Sequence, residues 1–260
     1  MLEVVRAGAV RGIEALQLKL LVEYDGTNYL GWQLQPNGPT VQGVLEHALT
    51  TVLREPVRVR AAGRTDAGVH ATGQVVAAPL SREPGDLGRL LRSLHALTPD
   101  DVAIRELSVV DDAFDPRRDA RSRRYEYRIH TARTPSAFWR RYAWHHPMAL
   151  DERAMSEATR ALIGEHDFVA FCAADADPVL STVRRVLVSE ITRDEELLVY
   201  RIEATAFLKH MVRSIVGTLV EIGRGERPPS ALVDVAASRD RRQVGRTAPP
   251  QGLTLVAVRY

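Results

Sequence analysis

Thiols are nearly absent from this chain: Cys172 is the single cysteine in 260 residues. It cannot close an internal disulfide, and a zinc site built from several thiolates is excluded. That usage fits a reducing cytoplasm. No stretch approaches the roughly 20 consecutive apolar residues that a membrane-spanning helix needs. Residues 1–15 carry Glu3, Arg6, Arg11 and Glu14 and lack the apolar core of a secretory signal. They read as a poorly ordered N-terminal extension. A strong charge excess is also missing. Thirty-five Lys and Arg face 33 Asp and Glu, a formal net charge of +2. Overall charge therefore announces no nucleic-acid partner, and the placement of the arginines has to decide.

Regular patterning begins at Leu16. Leu16, Leu18, Leu20 and Val22 alternate along a predicted strand that ends in the turn residues Asp25-Gly26-Thr27-Asn28. Val41, Val44, Leu45, Ala48, Leu49 and Val52 recur at helical spacing, with Thr40 as the expected N-cap. Strands are expected at 57–61, 74–80 and 102–110, with a helix around Leu87–Leu94 between the last two. From residue 112 a comparable order follows. Arg124–His130 reads as a strand with Tyr125, Tyr127 and Ile129 on one face, and Leu150–Ile163 as a helix. Val183–Thr192 and Leu197–Ala206 read as paired strands. Phe207–Leu219 forms a strongly apolar helix, Ser230–Ala237 a second, and Leu253–Arg259 a closing strand. This order predicts an α+β protein of two similar halves, 16–111 and 112–260. Each half is expected to be a mixed or antiparallel sheet backed by helices, ferredoxin-like or RRM-like, and the two sheets to lie side by side around a central cleft.

The most informative segment is Gly63-Arg64-Thr65-Asp66-Ala67-Gly68-Val69-His70-Ala71, between two predicted strands. Glycines on both sides of an acid allow a tight loop that other backbone can approach closely. A carboxylate at a sheet edge with cationic neighbours can serve as nucleophile or base. An aspartate between glycines also serves as an ordinary turn residue, accepting from nearby amides. The residues alone leave both roles open.

Several further blocks stand in a fixed order: Tyr24-Asp25-Gly26, Tyr29 and Gly31-Trp32-Gln33; Thr40-Val41-Gln42 with Leu45-Glu46; Tyr125-Glu126-Tyr127; His166-Asp167-Phe168; Phe207-Leu208 with Met211-Val212-Arg213; and Thr247-Ala248-Pro249 with Gly252-Leu253. Together with the Asp66 loop they resemble the tRNA pseudouridine synthase A family from about Leu16 to Tyr260. The resemblance implies a pseudouridine synthase fold and an isomerase that turns uridine into pseudouridine at positions 38 to 40 of the anticodon stem-loop. It implies that Asp66 is catalytic and that no metal or organic cofactor is required. Arg213 matches the ion-pair partner of the catalytic acid. Arg64 matches a residue that fills the space left by the extruded base or holds its phosphate, Tyr125 the active-site tyrosine, and Leu253 an apolar residue beside the base. It further implies a cytoplasmic homodimer whose partner is tRNA. One block departs: many relatives carry Phe-His-Ala-Arg where this chain has Phe114-Asp115-Pro116-Arg117, which puts the contacts of that loop in question.

Arg117, Arg118, Arg121, Arg123, Arg124 and Arg128 crowd one short stretch and are candidates for phosphate contact. Arg58, Arg60, Arg89 and Arg92 extend the set. Arginines of this kind also form surface ion pairs. Two other functions fit parts of the sequence. One is a non-catalytic RNA-binding module, suggested by strand aromatics with arginines. The other is a metal-dependent hydrolase using Asp66, His70 and His145 or His146, for which no two-histidine metal motif is present.

Overall fold

The computed structural model describes residues 16–176 and 181–260; the expected N-terminal extension lies outside them. The leading strand is β1 (Leu16–Tyr24). Alternation along it sends Leu18, Leu20 and Val22 into the core, where each is fully buried. α1 (Val41–Leu53) follows, and Thr40 caps it by accepting from the Gly43 amide at 3.2 Å. β2 (Arg60–Ala61) is a two-residue strand paired with β3 (His70–Leu80). α2 (Leu87–His95) starts at the Asp86 cap and leads to β4 (Val102–Asp111).

The rest of the chain comprises β5 (Ser122–His130), β6 (Trp144–His145), α3 (Glu152–Arg160), β7 (Gly164–Asp167), β8 (Val183–Asp194), β9 (Leu197–Ala204), α4 (Met211–Gly223), α5 (Ala231–Ser238) and β10 (Leu253–Arg259). The sequence reading missed β6 and β7. Two and four residues long, they are too short to show a period. It extended β2 back to Val57, yet Val57 and Val59 are buried outside a strand. It also began α4 at Phe207, four residues early.

Two sheets side by side were expected, but hydrogen bonding runs through one. The order is β4-β1-β3-β10-β5-β9-β8-β7, with β2 on β3 and β6 on β5. β10 pairs parallel to β3 and antiparallel to β5. The strand formed last therefore sits in the middle of the sheet and joins the early strands to the later ones. α1, α2, α3, α4 and α5 contribute Leu45, Leu49, Leu94, Met155, Ile215, Leu219 and Leu232 to one core with Leu18, Tyr127 and Ile202 of the strands. None of the described helices is long and apolar enough to cross a membrane.

β5 shows how strand period sorts charge. Arg123, Tyr125, Tyr127 and Ile129 alternate onto its buried face. Arg123 is accordingly only 7% exposed, and its guanidinium donates to the carbonyls of Ala120, Thr205, Ala62 and Arg117 at 3.2, 2.9, 2.9 and 2.6 Å. This corrects its place among the phosphate candidates, because its donors are spent inside the protein. The bonds to Ala62 and Thr205 tie the residue after β2, on the way to the Asp66 loop, to β5 and to the residue after β9. Arg123→Met would leave those carbonyls without their donor. It is expected to destabilise the fold by about 2–4 kcal/mol, read from urea unfolding.

Candidate active site

The Asp66 loop is held by the end of β1 and the segment that follows it. The Trp32 amide donates to the Thr65 carbonyl at 3.0 Å, and the Tyr24 hydroxyl meets the Thr65 hydroxyl at 2.8 Å. At the loop's far end the Val69 amide donates to the Asp66 carbonyl at 3.1 Å, closing a tight turn. Gly68 takes φ +75° in that turn, a region an L side chain enters only with strain. Gln74 of β3 donates to the Gly63 carbonyl at 2.8 Å. The loop is therefore pinned at both ends, and Asp66 stands on a rigid turn with its side chain 25% exposed.

α4 delivers the opposing charge. Arg213 Nη1 lies 3.1 Å from Asp66 Oδ2, and its Nε donates to the Ala248 carbonyl at 2.8 Å. The Ala248 amide in turn donates to the Arg213 carbonyl at 3.0 Å. The guanidinium is thus anchored at its base and aimed at the acid, a geometry a flexible lysine would not hold. His210 brings Nε2 to 3.5 Å from the same Oδ2.

Tyr125 packs edge-on against Phe207, with ring centroids 4.9 Å apart. Burial pushes its hydroxyl well above the ordinary phenol range, and the neighbouring Tyr24 and the charge of Asp66 push it further. The phenol therefore stays protonated at neutral pH. Tyr127 shares the strand face but is committed elsewhere, donating to the Pro249 carbonyl at 2.8 Å. Leu253 opens β10 directly opposite Tyr127 and is 6% exposed. The fold thus brings Arg213 and Tyr125 to Asp66, while Leu253 lies across the sheet from Tyr127. These residues lie as much as 187 positions apart in the sequence.

A family model described as tRNA pseudouridine synthase matches residues 20–117 and 158–260. Several relatives carry the name tRNA pseudouridine synthase A. The one from Geotalea uraniireducens is 45% identical, aligned over 94% of this chain and 99% of its own length. Those from Myxococcus xanthus and Geobacter sulfurreducens are 47% and 46% identical, over 94% of this chain and 92% and 99% of theirs. The chain belongs to the tRNA pseudouridine synthase family. As a pseudouridine synthase it has the sequence blocks and the mixed α+β sheet that the family implies.

The arginines of this synthase divide by environment. Arg64 is exposed at the start of the loop, and Arg117, Arg118 and Arg121 are exposed before β5. Arg58 holds Glu46 at 2.8 Å while its side chain stays 72% exposed. Arg124 and Arg128 take the opposite strand face from Arg123 and pair with Glu203 and Glu126, each at 2.7 Å.

The donors named for the hydrolase alternative stand apart. Burial pushes the His70 imidazole below its usual range, against the pull of the Asp25 carboxylate 3.1 Å from its Nδ1. Its Nδ1 accepts from the Gly26 amide at 3.1 Å and its Nε2 faces the Gln251 carbonyl at 3.2 Å. His145 faces the Ala132 carbonyl, and His146 packs on Trp144. Among the described residues, no group of three His, Cys, Asp or Glu side chains gathers to hold an ion. Sequence reasoning missed His210, although its spacing of three from Arg213 places both at one helix end. It also missed Tyr24 and Trp32 as supports of the loop, although both lie in the matching blocks.

Proposed function

We propose that this chain isomerises uridine to pseudouridine at positions 38 to 40 of the tRNA anticodon stem-loop, with the Asp66 carboxylate acting on the ribose. The observation that carries this reading is the Asp66–Arg213 pair. An acid on a rigid loop is set 3.1 Å from an anchored guanidinium, inside a chain with the family's ordered sequence blocks. The guanidinium stands against the carboxylate at a site where a sugar can reach it.

The isomerisation breaks the N1–C1′ bond and forms C5–C1′; C5 gives up a proton and N1 gains one. The carboxylate begins either by attacking C1′ or by removing the 2′ proton, and both routes start from the ionised acid. Tyr125, protonated beside Asp66, offers a ring for the base to stack on and a hydroxyl to relay the late proton from C5. Leu253 packs beside the base. A target uridine in a stem must leave its stack first, and exposed Arg64 fills the space it vacates or holds its phosphate. Arg117, Arg118, Arg121 and Arg58 face the RNA backbone, in keeping with shape-based reading of folded RNA. In this reading residues 16–111 supply the catalytic loop and 112–260 the arginine and tyrosine that serve it. The enzyme works as a cytoplasmic homodimer without metal or organic cofactor.

Purified protein incubated with unmodified tRNAs bearing uridine at 38, 39 or 40, with chelator present, is expected to convert those positions. Mass-spectrometric mapping reads the result. Binding of every tRNA with no conversion in any would overturn the reading in favour of an RNA-binding module.

A further inference from the structure

His210 combines three features that no cap or core role explains. Its backbone takes φ +64°, a left-handed conformation that histidine enters more often than most side chains do. It is the N-cap of α4, yet its side chain makes no capping bond. Helix starts favour Ser, Thr, Asp, Asn or Gly for that purpose. Glycine or asparagine would carry this backbone at lower cost. The side chain instead reaches Asp66 Oδ2 at 3.5 Å, from a side chain 27% exposed. The left-handed turn just before the helix lets His210 and Arg213 converge on one carboxylate oxygen.

We infer that His210 is a positioning residue that, together with Arg213, fixes the rotation of the Asp66 carboxylate toward the sugar. This rests on the catalytic reading of Asp66. One contact on an oxygen leaves the carboxylate free to swivel about it; two contacts from different directions do not. The groups around the imidazole set its charge. Burial lowers its proton affinity, Asp66 opposes that, Arg213 and Lys209 add to it, and Asp175 opposes it. Lys209 is itself paired with Asp175 at 2.8 Å. Burial is the largest of these influences, so the ring's proton affinity lies below its ordinary value, and Nε2 is the ring atom that faces Oδ2, at 3.5 Å. As pH falls below the ordinary imidazole range the ring gains a proton. It then becomes a second cation on the same oxygen, which ties up the carboxylate and slows the reaction.

The test compares wild type, His210→Gly, His210→Asn and Asp66→Asn. It measures single-turnover conversion of saturating unmodified tRNA across pH, tRNA affinity and thermal stability. His210→Gly is expected to fold as stably as wild type or more so, to bind tRNA equally, and to react about 10- to 100-fold more slowly. Its acid limb should shift to lower pH. His210→Asn, which keeps an amide donor and tolerates the backbone, should recover part of the rate. A wild-type rate and pH profile in His210→Gly, beside an inactive Asp66→Asn, overturns the positioning role alone. A rate loss in His210→Gly fully matched by loss of folded protein, with no recovery in His210→Asn, overturns it too. An active Asp66→Asn instead removes the catalytic reading on which the inference stands.

Discussion

Asp66→Asn protein is expected to bind unmodified tRNA with near-wild-type affinity and to leave its uridines unconverted. The substitution keeps the side chain's size and shape and removes one charge, so the pinned loop has no reason to rearrange. Trp32, Tyr24 and Gln74 hold that loop through Thr65 and Gly63, not through the acid. An amide can neither attack C1′ nor accept the 2′ proton, so both chemical routes close together. Loss of turnover by about 10⁴-fold or more is expected, the scale seen when an attacking group is removed outright. Single-turnover assays with mapped products measure it, and filter binding at fixed salt supplies the affinity. Conversion within tenfold of wild type would take Asp66 out of the reaction.

Gly217→Ala is expected to damage stability and catalysis at once, although residue 217 touches neither RNA nor Asp66 in the proposed mechanism. The segment at Arg246 lies so close to α4 that a Cβ on residue 217 would stand 1.8 Å from the Arg246 carbonyl oxygen. Backbone on both sides leaves no flexible side chain to yield, so the segment must lift from the helix. Two residues on, Ala248 accepts from Arg213 Nε, and lifting it releases the guanidinium that faces Asp66. Overpacking of this severity is expected to cost about 3 kcal/mol or more. That corresponds to a melting point lower by roughly 6–12 °C. Scanning calorimetry reads the first effect. The rate per folded molecule reads the second and should fall well below wild type. A variant that melts with wild type and turns over normally would show that the close approach is dispensable.

How much of this was legible in sequence depended on distance along the chain. β1, α1 and the β8–β9 pair declared themselves through local period, because a strand or helix with one buried face repeats every two or about 3.6 residues. The insertion of β10 between β3 and β5 did not, since no local pattern encodes which distant strand is a partner. Asp66 stood out through its glycine-flanked loop and its resemblance to a family. Arg213 looked like any helical arginine until the fold set it beside the acid. Within the arginine run at 117–128, Arg123 was misplaced because charge was read as one cluster. The period of two that marked Tyr125, Tyr127 and Ile129 as one face already placed Arg123 with them. The same alternation set Arg124 and Arg128 on the other side, where Glu203 and Glu126 lie. His210 went unnoticed because a left-handed φ leaves no trace in a histidine codon.

The central position of β10 sets a schedule for synthesis. A ribosome makes the Asp66 loop early and Arg213 much later, but β3 and β5 gain their shared neighbour only after Leu253–Arg259 has emerged from the exit tunnel. Until then His70 and Ala71 of β3 and residues 122–127 of β5 lack a partner on that edge and are open to other nascent chains. Chaperone capture is therefore expected to be stronger on chains stalled short of residue 253 than on chains that include β10.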